Sequence, residues 1–195
     1  MIQPWTRLGS TTVGDFKVFR VRKDLKQSPR DGSRHEFYVL DSVDWVNVIA
    51  LTPDQQVVLV EQFRHGSETV ELEVPGGIMD SADESPVMTA LRELREETGY
   101  AGENARIIGT MLPNAAIQSN RCHTVLVQNC RRLHPVQFDH TEDLVTRLVP
   151  VTALPDLVAR GRIRHCIVVA ALYHFELWLR GLKEGDTPRA KTEPA

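Results

Sequence analysis

No apolar run in this chain approaches the roughly 20 residues that cross a bilayer as a helix, and Met1 to Ser10 holds no apolar core of the signal-peptide kind. Cysteine is scarce. Cys122, Cys130 and Cys166 are odd in number and widely spaced. They fit neither a disulfide framework nor a zinc site, and they point to a reducing, cytoplasmic setting. A basic excess is also missing. With 23 Lys and Arg against 26 Asp and Glu, the net charge is −3, which argues against a nucleic-acid surface and against a polybasic membrane patch. Internal repeats and low-complexity tracts are absent. What is present, 42% apolar and 25% charged residues over 195 positions, suits one soluble domain with a sizeable core and a small appendage.

The chain is organised around Glu73 to Tyr100. Glu73-Val74-Pro75-Gly76-Gly77 ends a strand, a short loop follows, and Pro86 to Thr98 reads as a helix. Ser85 suits the N-cap, Pro86 the first helical position and Gly99 the left-handed position after the end. Val87, Ala90, Leu91, Leu94 and Thr98 recur at helical spacing as a buried stripe. Glu93, Glu96 and Glu97 fall at i, i+3 and i+4 and share a different face. Like charges so close cost a few tenths of a kcal/mol per pair on a bare helix. Either Arg92 and Arg95 offset them on a solvated face, or a hard divalent cation does. Carboxylate oxygens suit Mg²⁺ or Mn²⁺ rather than zinc.

This stretch resembles the signature of the Nudix hydrolases, carried here by Gly77, Glu84 and Arg92-Glu93-Leu94-Arg95-Glu96-Glu97-Thr98-Gly99-Tyr100. The helical half matches at every fixed position, with Tyr100 standing where an aliphatic residue is usual. One departure lies in the loop, where six residues rather than five separate Gly77 from Glu84. The resemblance implies an α/β fold: an α/β/α sandwich with a mixed central sheet between helices, plus a small N-terminal antiparallel β appendage. It implies metal ligation by Glu93, Glu96, Glu97 and the carbonyl of Gly76. Arg92, four residues before Glu96, is expected to orient that glutamate.

Residues 1 to 44 read as the β appendage, with Asp15 to Lys23 and His35 to Leu40 as β-rich runs around the turn Pro29-Arg30-Asp31-Gly32. Two strands are not stable alone. In the Nudix branch that cleaves ADP-ribose and related nucleotide sugars, a comparable sheet builds a homodimer, so the resemblance implies one here. Residues 45 to 182 are expected to form the hydrolase domain, and 183 to 195 a disordered polar tail.

Within the domain, strands are expected at Trp45 to Leu51, Val57 to Phe63, Val70 to Val74, Arg106 to Leu112, Cys122 to Gln128 and Leu144 to Val149. Helices are expected at Thr152 to Ala159, capped by Thr152, and at Cys166 to Leu179. His174 on the latter stripe reads as a core histidine rather than a ligand. Trp45 either stacks on a base or packs in the core. Arg64 is either a strand-end charge or a fork for diphosphate oxygens, and Glu73 either positions substrate or braces Arg64. Asn114, Asn120 and Arg121 either touch substrate or brace their loop. Of these, Arg64, Glu73 and Asn120 are the substrate-binding candidates. The acidic run at Asp139, Glu142 and Asp143 resembles the mobile acidic loop of ADP-ribose pyrophosphatases. Glu142 matches its catalytic carboxylate best, and Glu96 is the other catalytic candidate.

The activity implied is Mg²⁺-dependent hydrolysis of a nucleoside diphosphate sugar to a nucleoside monophosphate and a sugar phosphate. ADP-ribose comes first and GDP- or other NDP-sugars next. The alternative class is a nucleotide-sensing module without turnover, against which the full set of glutamates argues. The expected partners are the nucleotide-sugar substrate and a second copy of the chain, with no nucleic acid and no membrane.

Overall fold

The structure is a computed structural model and describes residues 1–80, 85–138 and 143–182. Two compact units emerge: Met1–Asp44 with Leu112–Arg121, and Trp45–Met111 with the chain from Cys122 onward. The loop before Cys122 thus clusters with the N-terminal segment rather than with the strands it joins.

The N-terminal unit is a three-stranded antiparallel sheet in the order β1 (Thr6–Asp15), β2 (Arg20–Gln27), β3 (Arg34–Asp41). The sequence displays two β-rich runs, yet there are three strands. β1 is built largely from Thr, Ser and Gly, so it has little apolar alternation to betray it. It is held by backbone pairing from Thr6↔Gln27 to Asp15↔Arg20, interrupted by two register shifts. The turn between β2 and β3 falls where Pro29 to Gly32 predict it. Ser28 N–H donates to Ser33 O at 2.8 Å, and Gly32 takes a φ of 73°.

The second unit is a seven-stranded mixed sheet. Its path is β10 (Leu144–Pro150), β5 (Gln56–Arg64), β4 (Trp45–Leu51), β9 (Cys122–Arg132), β8 (Tyr100–Met111), with β6 (Thr69–Glu73) beside β5 and the short β7 (Gly76–Ile78) beside β4. β4 and β9 run parallel; the remaining pairs are antiparallel.

β4 reads as a near-continuous apolar run because both its faces are covered. Val46, Val48 and Ala50 turn toward helix α1 (Pro86–Thr98), where Ala90 and Leu94 meet them with Val58, Val125 and Val127. Ile49 and Leu51 turn the other way. They join Val57, Leu59, Leu126, Val168, Ala171 and Phe175, the last three from helix α3 (Cys166–Leu179). Each fully buried Val or Leu in these layers contributes about 1.5–3 kcal/mol. The result is a helix–sheet–helix sandwich.

α1 begins and ends as its sequence signals. Ser85 Oγ accepts from Met88 N–H at 3.3 Å, and Gly99 adopts φ 74° with its N–H on Arg95 O. α2 (Leu154–Ala159) begins later than expected, and Thr152 does not cap it. Residues 151–153 form a single 3₁₀ turn instead. Pro155 accounts for the start, since it is tolerated only within the first helical turn. His174 is a satisfied core histidine. Thr124 Oγ1 lies 2.9 Å from its Nδ1, and Gly109 makes room for the ring, because a Cβ there would sit 2.3 Å from it. Trp45 packs against the α3-side core.

Candidate functional site

β6 delivers Glu73, the chain turns at Val74-Pro75, and β7 lies antiparallel on the start of β4 through Val46↔Gly77 and Asn47↔Gly76. Val48 N–H donates to Pro75 O at 2.8 Å and pins the turn. This backbone path, which the sequence does not announce as a strand, covers the acidic face of α1. The Gly76 N–H donates to Glu97 Oε2 at 3.1 Å. The Glu93 carboxylate lies over Gly77 so closely that a Cβ at that position would stand 2.4 Å from Oε1. Only glycine permits this approach.

Glu93 and Glu97 are therefore buried, at 8% and 3% exposure. They do not form a face distinct from the buried stripe, as the helical spacing alone suggests. A buried carboxylate costs several kcal/mol unless charge and hydrogen bonds compensate it. Arg92 supplies part of that compensation, with Nη1 2.9 Å from Glu93 Oε1 and 3.1 Å from Glu96 Oε2. It orients two glutamates rather than the one predicted.

The donor set fits a hard divalent cation in kind. Glu93, Glu96 and Glu97 offer only carboxylate oxygens, and Gly76, whose N–H already touches Glu97, carries the backbone carbonyl expected beside them. Among the described residues, no three His, Cys, Asp or Glu side chains already converge on one point, and Glu96 is turned to Arg92. Glu84 and Glu142, together with Asp139, fall outside the described residues.

A second cluster lies at the end of β5 and β6. Arg64 grips Glu73 with both prongs, Nε on Oε1 and Nη2 on Oε2, each at 2.9 Å. His165, just before α3, places Nδ1 2.9 Å from Glu73 Oε2. Burial pushes the Glu73 carboxyl up, but the hydrogen bonds and charges of His165 and Arg64 outweigh it and bring the pKa down to about 2. Next to it, Arg164 Nε and Nη2 donate to Glu71 Oε1 at 3.0 and 2.6 Å. Neither Arg164 nor His165 is legible as a partner in the sequence, since each lies more than 90 residues from its glutamate and belongs to no motif. So Glu73 braces Arg64, one of its two expected roles, and has a partner no pattern showed.

Because the folded pKa of Glu73 is depressed, its stabilisation is fully present above the ordinary carboxyl value and fades as pH falls toward 2. Glu73→Gln is expected to cost about 3 kcal/mol at pH 7, taking roughly 1.4 kcal/mol per pKa unit. The gap from the parent should narrow steadily below about pH 4.5. Urea unfolding at a series of pH values measures it, and a gap independent of pH would contradict the pairing.

The loop candidates divide. Asn114 braces its own turn, its Oδ1 accepting from Ala116 N–H at 3.3 Å. The Arg121 backbone N–H is taken by Asp44 Oδ1 at 2.7 Å. Asn120 is buried, yet neither its Oδ1 nor its Nδ2 has a hydrogen-bond partner. Cys122, Cys130 and Cys166 form no disulfide, and burial pushes the Cys130 thiol up to about 12, leaving it inert. No described helix is long and apolar enough to cross a membrane.

The NUDIX domain profile matches residues 42–168. The ADP-sugar pyrophosphatase of Mus musculus is 30% identical over 184 residues, covering 90% of this chain and 82% of the relative. The ADP-ribose pyrophosphatase of Mycobacterium tuberculosis (strain ATCC 25618 / H37Rv) is 26% identical over 168 residues, covering 85% of this chain and 80% of the relative. A crystal structure of an ADP compounds hydrolase superposes with a TM-score of 0.80 at 22% identity, over 93% of this chain and 97% of that one. At that identity the superposition speaks for the fold.

Proposed function

The chain belongs to the NUDIX domain family, and from that premise we infer that it is a pyrophosphohydrolase cleaving the diphosphate bond of a nucleoside diphosphate sugar. The observation that carries this reading is the pair of buried carboxylates, Glu93 and Glu97, packed on the Gly76-Gly77 backbone. Burying two acids there costs the helix energy that a divalent cation bound by them would offset. The names of the mouse and mycobacterial relatives support the substrate class. ADP-ribose is the first substrate to test, followed by GDP- and other NDP-sugars. The products are a nucleoside monophosphate and a sugar phosphate.

Glu93, Glu96, Glu97 and the Gly76 carbonyl are the proposed ligands of Mg²⁺, with Mn²⁺ able to substitute. A divalent cation held there neutralises diphosphate charge and favours in-line attack by water at phosphorus. Arg92 holds Glu96 and Glu93 in place. Glu96 or Glu142 takes the proton from the attacking water as the new P–O bond forms and the anhydride P–O bond breaks. Arg64, fixed by Glu73, suits the oxygens of the substrate diphosphate. Release of the two products from a panel of nucleotide sugars in the presence of Mg²⁺ tests the assignment. A panel left intact overturns it.

Glu142, expected from the sequence on a mobile loop, precedes β10 along the chain, whereas Glu93, Glu96 and Glu97 lie on α1. Glu142→Gln is expected to lower turnover about 10²-fold, as for loss of an acid–base group, with metal affinity of the free protein unchanged because a loop completes its site only once substrate is bound. Steady-state kinetics beside a calorimetric metal titration checks this. Near-normal turnover moves the base to Glu96, Asp139 or Asp143.

The N-terminal segment, residues 1 to 44, is proposed as the contact surface of a homodimer, with 45 to 182 as the hydrolase domain. Leu8, Phe37 and Tyr38 are exposed on its sheet and Trp5 just before it, apolar side chains that a second copy could cover. Sedimentation is expected to show a dimer at micromolar concentration; a fully active monomer overturns it. The free cysteines favour a reducing, cytoplasmic location, with neither nucleic acid nor membrane as partner.

A further inference from the structure

Glu73 collects donors from two distant parts of the chain. Arg64 Nη2 and His165 Nδ1 share one of its oxygens, Oε2, each at 2.9 Å. Those two nitrogens are therefore no more than about 6 Å apart, given ordinary hydrogen-bond lengths. A carboxylate only accepts, so Nδ1 of His165 carries the proton that Glu73 binds. Nε2, on the other side of the ring, makes no hydrogen bond among the described residues, and the side chain is 34% exposed. The whole group lies close to the acidic helix. Gly76 follows Glu73 by three positions, a span of at most about 10 Å at the rise of an extended chain, and Gly76 already touches Glu97.

We propose that His165 is a substrate-contacting residue whose Nε2 takes a hydroxyl of the sugar. The inference rests on the reading of this chain as a nucleotide-sugar hydrolase with Arg64 at the phosphates. Chemistry selects the hydroxyl. A neutral imidazole with Nδ1–H committed presents only a lone pair at Nε2, and a protonated one presents only an N–H. Phosphate oxygens accept and so pair with the second state alone, whereas a hydroxyl both donates and accepts and pairs with either. Arg64 meanwhile supplies the permanent charge that a diphosphate needs. Glu73 thus holds two different recognition groups at a set spacing, one for phosphate and one for sugar. The bond from His165 also explains why so buried a carboxylate is tolerated at the end of an edge strand.

The test separates contact from architecture. In H165N the amide nitrogen stands near the place of Nδ1 and keeps the bond to Glu73, while Nε2 is lost. In H165Q the amide nitrogen stands near the place of Nε2. On a nucleotide sugar that the parent cleaves, H165N is expected to raise KM about tenfold, the worth of one good hydrogen bond, with kcat within about twofold and thermal stability unchanged. H165Q should fall nearer the parent. Among substrate analogues each lacking one sugar hydroxyl, one should lose the same factor with the parent and nothing with H165N. A parent-like KM in H165N, or an equal penalty for every analogue in both proteins, overturns the contact. Should H165N not fold, the analogue series on H165Q decides: retention of the selective penalty supports the contact, and a uniform response overturns it. A parent that cleaves no nucleotide sugar defeats the hydrolase reading instead. Calorimetric binding of the intact nucleotide sugar and its deoxy analogues to parent and H165N then tests the contact without turnover, and equal affinities throughout overturn it.

Discussion

EDTA is expected to abolish hydrolysis, Mg²⁺ or Mn²⁺ to restore it, and Glu97→Gln to lower turnover about 10³-fold while weakening metal binding. The magnitude follows from the several kcal/mol of transition-state charge stabilisation that a metal ion supplies; about 4 kcal/mol is a factor of 10³ in rate. Glu97→Gln isolates charge from shape. The Glu97 carboxylate accepts the Gly76 N–H at 3.1 Å, and a glutamine carbonyl can accept it too, so the turn over the helix keeps its anchor. What disappears is one negative charge at a site 3% exposed, where it matters most to a cation. Folding should be intact, because removing a buried charge also removes its desolvation cost. Metal titration by calorimetry beside kinetics over a range of Mg²⁺ concentrations reads both effects. Activity persisting in metal-free buffer, or Glu97→Gln as active as the parent at low Mg²⁺, shows that the acidic face is not the metal site.

The two adjacent glycines are expected to fail in opposite ways. At Gly76 an added Cβ would stand 2.2 Å from the Val46 carbonyl oxygen. That atom belongs to backbone paired within the central sheet and cannot retreat without breaking β7 from β4. Gly76→Ala should therefore cost more than about 4 kcal/mol, in the exceptional range of single substitutions, and leave little folded protein. At Gly77 the obstacle is the Glu93 carboxylate at 2.4 Å, the far end of a flexible side chain. Gly77→Ala should cost about 1 kcal/mol or less in stability, since a carboxylate can rotate at small cost. It should still lower turnover about 10³-fold, because the displaced group is a proposed metal ligand. Denaturant unfolding and kinetics on both variants distinguish the two. If Gly77→Ala retains full activity, the position of Glu93 over this backbone has no catalytic use.

Both predictions depend on β7, which three residues of Gly and Ile do not reveal as a strand. Its pairing partner, β4, precedes it by some thirty positions, and nothing local favours extension in Gly76-Gly77. The same holds for Glu73. Its arginine partner is near in sequence and was anticipated, whereas His165 lies 92 residues away. Helix α1 is the opposite case. Its cap, its apolar spacing and its terminating glycine are all local, and each lies where the sequence puts it.

The sequence by itself determined the acidic helix, the strand at Trp45 to Leu51 and the membership of the chain in its family, because each is written in contiguous residues. It could not determine that Glu93 and Glu97 are buried, that Arg92 serves two glutamates, or that Glu73 joins Arg64 to His165. Those were decided by the tertiary structure. Burial of a charged face depends on which distant backbone comes to lie over it, and the partners of a buried carboxylate are chosen by the sheet order and the entry of α3, not by neighbours along the chain.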